Sequence, residues 1–366
     1  MTHANHHQRP AILVISLLLV IASMLSACDP ATPTPLPSVT PSPSATIPSE
    51  LPPTQTPTLR PSPTATLPPI GEQGNPITIG FVLSNLDIES QDAIEEMALF
   101  LADETGYFIE YQIYPDFESI SGAILGGSVH FFWLEPLEYL YLNQAGAAEL
   151  VLMTNHLGVY AYGVQFMANE ARGFRSYFDP ETNQSTSQDA IALQQFSGTR
   201  PCYTDQESLP GYLVPQGLLT GRNIPTLDPV FVYHYSAVIR ALYIREICDF
   251  GVSYALTGDP RSAGNIQQDI PEAQTQVQVI WQSEGIIPNT SLSASTTLPL
   301  AIQHRIQEAF LDFPDTQQGL SLLSQALQYD VEALKAVEDG FFQPLRSALA
   351  PLELNLETII FDQTRP

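Results

Sequence analysis

Residues 200–219, "RPCYTDQESLPGYLVPQGLL", read as a short apolar strand, a small polar turn and an amphipathic helix. The first turn of a helix presents unpaired N–H groups and a partial positive charge, which suit an oxyanion. Ser208 is a good N-cap residue, and Pro210 is tolerated in the first helical turn although it has no N–H to give. The same residues also make an ordinary helix start, so the surroundings decide what this turn holds.

Those surroundings alternate. "ITIGFVL" (77–83), "FIEYQIY" (108–114), "VHFFWL" (129–134) and "ELVLMTN" (149–155) are apolar, strand-like runs. Between them lie helical stretches: "ESQDAIEEMALFLADETG", with Ile94, Met97, Ala98 and Leu101 on one face, "FESISGAILGG" and "LEYLYLNQAG". The β-α-β-α-β-α-β order predicts a parallel sheet covered by helices on both faces. The pattern restarts at "GVQFMAN" (163–169), with an irregular polar insertion to about residue 188, and continues through "PVFVYH", "SAVIRALYIRE", "CDFGVSYAL" and "VQVIWQ". "IIPNTSLSAS" (286–295) runs on extended. The helical tail from Leu298 is too short to cover a sheet of its own and is expected to pack on the first lobe. Roughly 290 globular residues suit two lobes better than one core.

The N-terminal residues are different. Ala11 to Leu25 is an apolar run ending in "LSAC", with small residues before Cys28. At about fifteen residues it is shorter than the roughly twenty needed to span a bilayer. It resembles a bacterial lipoprotein signal (residues 1–27) with Cys28 as the lipidated N-terminus; an uncleaved anchor helix is the alternative reading. Residues 28–75 are mostly Pro, Thr and Ser and read as a disordered stalk. Both readings place the rest of the chain outside the cytoplasm, anchored to the outer face of the cell membrane. The net charge of −26 and the single lysine, Lys335, weigh against nucleic acid and anionic membrane surfaces as partners. The other two cysteines, Cys202 and Cys248, are a disulfide or two buried thiols.

In open α/β sheets ligands sit beyond the carboxyl ends of the strands. That rule selects Asn85, Glu135, Asp205, Ser208, Gly211, Tyr212, His234 and Asp259. Trp133, Tyr139, Tyr160 and Tyr162 lie near the same loops, with Tyr139 and Tyr212 each in a helix's first turn. A hydrolase would recruit Ser208, His234 and Asp205 or Asp259, but no G-x-S-x-G elbow is present. No metal or other cofactor is implied: the dense histidines, His3, His6 and His7, lie in the signal.

With these segments in order, the chain resembles the phosphate, phosphite and phosphonate solute-binding proteins of ABC importers. "WLEPLEY" (133–139) stands where that family has a strand followed by G-P-L-x-Y. "DQESLPGYLVP" (205–215) matches D-x-x-S-x-S-G-Y-x-x-P, and "HYSAV" (234–238) and "CDFGV" (248–252) match H-D-A-V and V-D-A-G. "IIPN" (286–289) matches the return crossing. The resemblance implies a type II periplasmic-binding-protein fold, α/β, with two lobes, each a mainly parallel sheet flanked by helices, and a cleft between them. Lobe 1 would be 76–165 and 286–366, and lobe 2 166–285, with hinges near Val164–Met167 and Ile286–Leu292. It implies a monomer that closes on a small solute and presents it to a membrane permease. A receptor domain signalling to a membrane sensor is the alternative role. The family's second-lobe strand order, 2-1-3, places Cys202 beside Cys248 and implies their disulfide.

Two residues depart from the family pattern. Pro210 replaces a hydroxyl residue, and Glu135 replaces a glycine of the first-lobe turn. A carboxylate about 4 Å from an anion costs roughly 4 kcal/mol at an effective dielectric near 20. The expected solute is a small phosphonate, aminophosphonate or other small zwitterion or anion. Unless Glu135 points away, a simple phosphonate is disfavoured and a zwitterion such as an aminophosphonate reconciles both changes.

Overall fold

The computed structural model describes residues 67–316 and 318–361. The expected signal, Cys28 and the stalk up to residue 66 lie outside the described residues. The fold begins earlier than expected. The Gly71 N–H donates to the Asn75 carbonyl at 2.8 Å, and the Gly71 carbonyl accepts from the Phe108 N–H at 2.9 Å. Residues 70–75 therefore belong to the domain and not to the stalk, because their backbone groups find partners on it and Ile70 packs on its core.

Four forward strands open the first lobe: β1 (Ile77–Val82), β2 (Ile109–Tyr114), β3 (Phe131–Leu134) and β4 (Ala148–Asn155). They are linked by α1 (Ile88–Thr105), α2 (Phe117–Leu125) and α3 (Pro136–Gln144). Asp87 Oδ1 accepts from the Ser90 N–H at 2.7 Å to start α1, and Gly106, in the left-handed conformation, stops it. Its Ile94, Met97 and Leu101 stripe is buried in the first-lobe core.

The chain then crosses to the second lobe. There β5 (Ala161–Asn169) is followed by a hairpin of β6 (Phe178–Asp179) and β7 (Gln184–Ser185), then by α4 (Asp189–Ala192) and β8 (Pro201–Tyr203). A π-turn at Leu209–Leu213 runs into α5 (Val214–Gly221). β9 (Val230–Phe231), α6 (Tyr235–Ile244) and β10 (Phe250–Ala255) come next, then α7 (Gly264–Asp269), α8 (Ala273–Gln276) and β11 (Val277–Gln282). The return passes through β12 (Ile287–Pro288) and β13 (Ser291–Ser295) to α9 (Leu300–Asp312) and α10 (Gly319–Leu327). β14 (Ala333–Ala336), α11 (Gln343–Leu349) and α12 (Leu356–Phe361) finish the fold.

The first sheet has the order β14-β4-β13-β3-β1-β2 and the second β11-β5-β10-β8-β9. In each, one antiparallel strand that directly follows a crossing, β13 or β5, separates the third forward strand from the fourth. The expected all-parallel run of β1 to β4 is thus interrupted, and β3 and β4 point the same way without touching. Both sheets are mixed, with most strands running forward.

The outward crossing is residues 156–160, not Val164–Met167. Those four are buried in the middle of β5, between β10 and β11, where a backbone rotation would break two ladders. β5 therefore belongs wholly to the second lobe. The return crossing lies between Gln282 and Ser291, within and just before the expected segment. The two crossings hold each other: Asn289 donates from its backbone to the Tyr160 carbonyl at 3.1 Å and from its side chain to the Val159 carbonyl at 2.7 Å.

α9 and α10 pack on α1, as a first-lobe tail would. α11 does not; it lies on α5 of the second lobe, while α12 returns to α3. The approach is tight, since a Cβ on Gly217 of α5 would stand 1.9 Å from the Ala348 carbonyl oxygen. Phe342, Leu345, Ala348 and Leu349 join one core that draws on both lobes. The final helices bridge the lobes because their apolar stripe is shared between them.

β8 and β10 are parallel neighbours, with Cys202 opposite Gly251. Cys202 and Cys248 are joined by a disulfide, their Cα atoms 5.6 Å apart.

Candidate ligand-binding site

α3 begins at the carboxyl end of β3, and Glu135 is its N-cap. The Glu135 N–H donates to Glu138 Oε2 at 2.8 Å, and Glu135 Oε1 accepts from Thr290 Oγ1 at 2.7 Å. Thr290 belongs to the return crossing, so the carboxylate is tied to that crossing. Glu135 reaches water, yet protein surrounds it on most sides; that desolvation pushes its carboxyl above the ordinary range, against the Thr290 bond. Glu138 is pushed up to about 7, first by burial and then by the Glu135 charge. No ion pair engages either carboxylate among the described residues.

Tyrosines close the space around them. Tyr162, near the start of β5, has its hydroxyl pushed up by burial, then by Tyr235, Glu135 and Tyr329. Tyr329 follows α10, stacks on His156 with ring centroids 4.5 Å apart, and is pushed up by burial and then by Glu135. From the second lobe, Tyr235 opens α6 with its ring edge-on to Tyr254 at 4.9 Å. Its hydroxyl lies 3.2 Å from Ser208 Oγ.

The turn at Asp205–Tyr212 is largely self-contained. Ser208 Oγ accepts from the Gly211 N–H at 3.0 Å, and the Ser208 carbonyl accepts from the Tyr212 and Leu213 N–H groups. Asp205 Oδ1 accepts from the Glu207 N–H at 3.1 Å and sets the bend. A Cβ on Gly211 would fall 1.8 Å from Thr204 Oγ1, so the strand and the turn close on each other only through glycine. With Pro210 lacking a donor, this helix start keeps few amides for an anion. What it offers the cleft is hydroxyl groups.

The other expected residues divide. Asn85 is exposed, its carbonyl accepting from Gln328 Nε2 at 2.9 Å. Trp133 is buried in β3 with its ring edge-on to Phe310, yet borders a small cavity that Glu135 also lines. Tyr160 lies in the crossing, under Lys335 Nζ at 4.2 Å from its ring centroid. His234 is exposed just before α6 and makes no capping bond.

Three expected contacts are spent elsewhere. Tyr139 is fully buried against Phe342, and its hydroxyl donates to Asp339 Oδ1 at 2.6 Å. It lies on the buried side of α3, at the i+3 and i+4 spacing it shares with Pro136 and Leu140. Tyr212 packs edge-on against Tyr203 and Phe231. Asp259 is neutralised by the Arg261 guanidinium, with contacts of 2.9–3.2 Å.

Sequence reasoning missed Glu138, Tyr235, Tyr254, Thr290 and Tyr329. Tyr235 stands beside His234 in a segment that was already singled out. Tyr329 follows a helix, and the strand-end rule does not point there.

A family model described as the phosphonate periplasmic substrate-binding protein of ABC transporters matches residues 79–339. No curated protein matches the chain. Among solved structures, XAC2383 from Xanthomonas citri, bound to chloride, superposes with a TM-score of 0.52 at 15% identity, covering 77% of this chain and 98% of that one. PhnD1 from Prochlorococcus marinus in complex with methylphosphonate has a TM-score of 0.45 at 11% identity, covering 75% and 97%. The aliphatic sulphonate binding protein SsuA from Escherichia coli has a TM-score of 0.40 at 12% identity, covering 75% and 90%. The XAC2383 likeness is one of fold. With the family model spanning both lobes and both crossings, the chain belongs to the phosphonate-type periplasmic substrate-binding proteins of ABC transporters.

Proposed function

We propose that this chain captures a small zwitterionic phosphonate, of which 2-aminoethylphosphonate is the simplest probe, and releases it to an ABC permease. One observation carries the reading: among the described residues Glu135 has no ion-pair partner, and it stands beside Tyr162 and Tyr329. An ammonium group would supply that partner, and tyrosine faces favour a cation further. The phosphonate oxygens would meet neutral donors, the hydroxyls of Ser208 and Tyr235 and the first N–H groups of α6. Closure would turn on residues 156–160 and 283–290, and Thr290 would carry the movement to Glu135.

The experiment is a pair of titrations by calorimetry across about pH 6 to pH 8, with 2-aminoethylphosphonate and ethylphosphonate. Both phosphonates ionise in this range. The ammonium group lowers the second ionisation of its phosphonate, so each affinity is referred to the concentration of the phosphonate dianion before the ratio is taken. Glu138 gains its negative charge as pH rises through about 7. The preference for the aminophosphonate should therefore grow with pH, by about tenfold. A ratio that does not move, or a preference for ethylphosphonate throughout, sinks the reading.

The anchor is part of the same proposal. Leu25-Ser26-Ala27-Cys28 supports lipidation at Cys28, which would hold the binding domain to the membrane on its stalk. In cells, Cys28→Ser is expected to move the protein from the membrane fraction to the soluble fraction and to abolish labelling by a radioactive fatty acid. Unchanged labelling and fractionation would remove the anchor from the account.

A further inference from the structure

Three residues turn the chain from β9 into α6 beside the cleft. The His234 N–H donates to the Val232 carbonyl at 2.9 Å, and Tyr233 between them has a φ of 65°. A three-residue turn closed by that bond, with positive φ at its centre, is the rare and strained form of the γ-turn. Most other side-chain-bearing residues with positive φ have a local reason for it. Asn183 and Asn223 are of the type that tolerates it, and Arg245, Gln328 and Glu353 close helices. Tyr233 closes no helix, and a bulky side chain is costly there.

The strained turn exposes a ring. Tyr233 is 64% exposed and joins none of the hydrophobic cores among the described residues. Its backbone is fixed at the site: the Tyr233 N–H donates to the Thr204 carbonyl at 2.9 Å, and the Thr204 N–H donates to the Gly211 carbonyl at 3.2 Å. Thr204 thus ties this turn to the Ser208 turn. Two residues on, the Tyr235 hydroxyl lies 3.2 Å from Ser208 Oγ. A strained backbone that holds an apolar ring in water costs the unliganded fold and returns no packing to it. Strain of this kind persists where binding uses it.

We propose that Tyr233 covers the bound ligand: as the lobes close, its ring lies on the carbon arm of the phosphonate and shuts water out above the Ser208 and Tyr235 hydroxyls. The proposal rests on the cleft reading and adds a binding residue to it. It does not depend on an ammonium group at Glu135, so it holds for 2-aminoethylphosphonate and ethylphosphonate alike.

The test is calorimetric titration of the wild type, Tyr233→Gly and Tyr233→Phe with both probes. Tyr233→Gly is expected to weaken whichever probe binds by about tenfold, the worth of the ring area withdrawn from water. Without ligand it should melt about 2 °C higher, because glycine takes a positive φ without strain. Tyr233→Phe keeps the ring and should keep the affinity. In the glycine variant affinity and melting temperature then move in opposite directions, whereas loss of a residue needed only for the fold would lower both. Nitration by tetranitromethane, located by mass spectrometry of peptides, reads the wild type directly. Tyr233 should react in the free protein and be protected by saturating probe. Unchanged affinity or a lower melting temperature in Tyr233→Gly, a loss in Tyr233→Phe, or equal nitration with and without probe would overturn the role of Tyr233 alone. If neither probe binds the wild type, the cleft reading itself fails, and Tyr233 with it.

Discussion

Glu135→Gln is expected to weaken 2-aminoethylphosphonate binding by about a hundredfold while strengthening ethylphosphonate binding. The substitution keeps the shape of the side chain and an oxygen to accept from Thr290 Oγ1, so the contact at 2.7 Å survives. Only the charge is lost. A unit charge about 4 Å away is worth roughly 4 kcal/mol at a dielectric near 20, on the order of a thousandfold. Glu135 is open to water, and screening there reduces the effect to about a hundredfold. The opposite response of the simple phosphonate separates this from damage to the fold, which would weaken both ligands. Calorimetric titration of each ligand against each protein decides it; a variant that loses neither selectivity nor affinity would mean that the cleft does not read a cation at Glu135.

The sequence singles out Glu135 as a candidate because it breaks a rule: a carboxylate occupies the loop after a strand in a pattern that resembles anion binders. Tyr139 was misread by the same rule. Proximity in sequence to a cleft residue says nothing about which side of α3 a residue faces, and the inner side here meets Phe342 from a distant segment. Tyr329 could not be found, since it reaches the site only through the return of the chain and the packing of α10 on α1. The alternating apolar runs announced two α/β lobes. They could not show that β13 lies between β3 and β4, because a strand buried on both faces reads the same whichever neighbour it takes. The stripe of α11, with Leu345, Ala348 and Leu349, was likewise visible as a stripe. Its partner was not, because an apolar face carries no address until the volumes of both lobes are assembled around it.

The second large effect concerns stability. Replacing both cysteines, Cys202→Ala with Cys248→Ala, should cost about 4 kcal/mol and lower the melting temperature by about 10 °C. The cross-link spans a sequence separation of 46 residues, and cross-links that close longer loops restrict the unfolded chain more. That loop contains α5, β9 and α6, and so both Ser208 and Tyr235, the second lobe's hydroxyls at the cleft. The native strand pairing does not depend on the bond. β8 and β10 remain neighbours, and the turn before β10 is also held by Arg172, whose Nη1 meets Asp249 Oδ1 at 2.7 Å, while Asp249 Oδ2 accepts from the Arg200 N–H at 2.8 Å. The double variant should therefore fold at room temperature and bind, but melt early; reductant should move the wild type to the same midpoint and leave the variant where it is. Calorimetric melting with and without reductant measures this. An intact mass unchanged by reduction, with two thiols titratable after unfolding, would show that the second lobe holds its cleft loops without the cross-link.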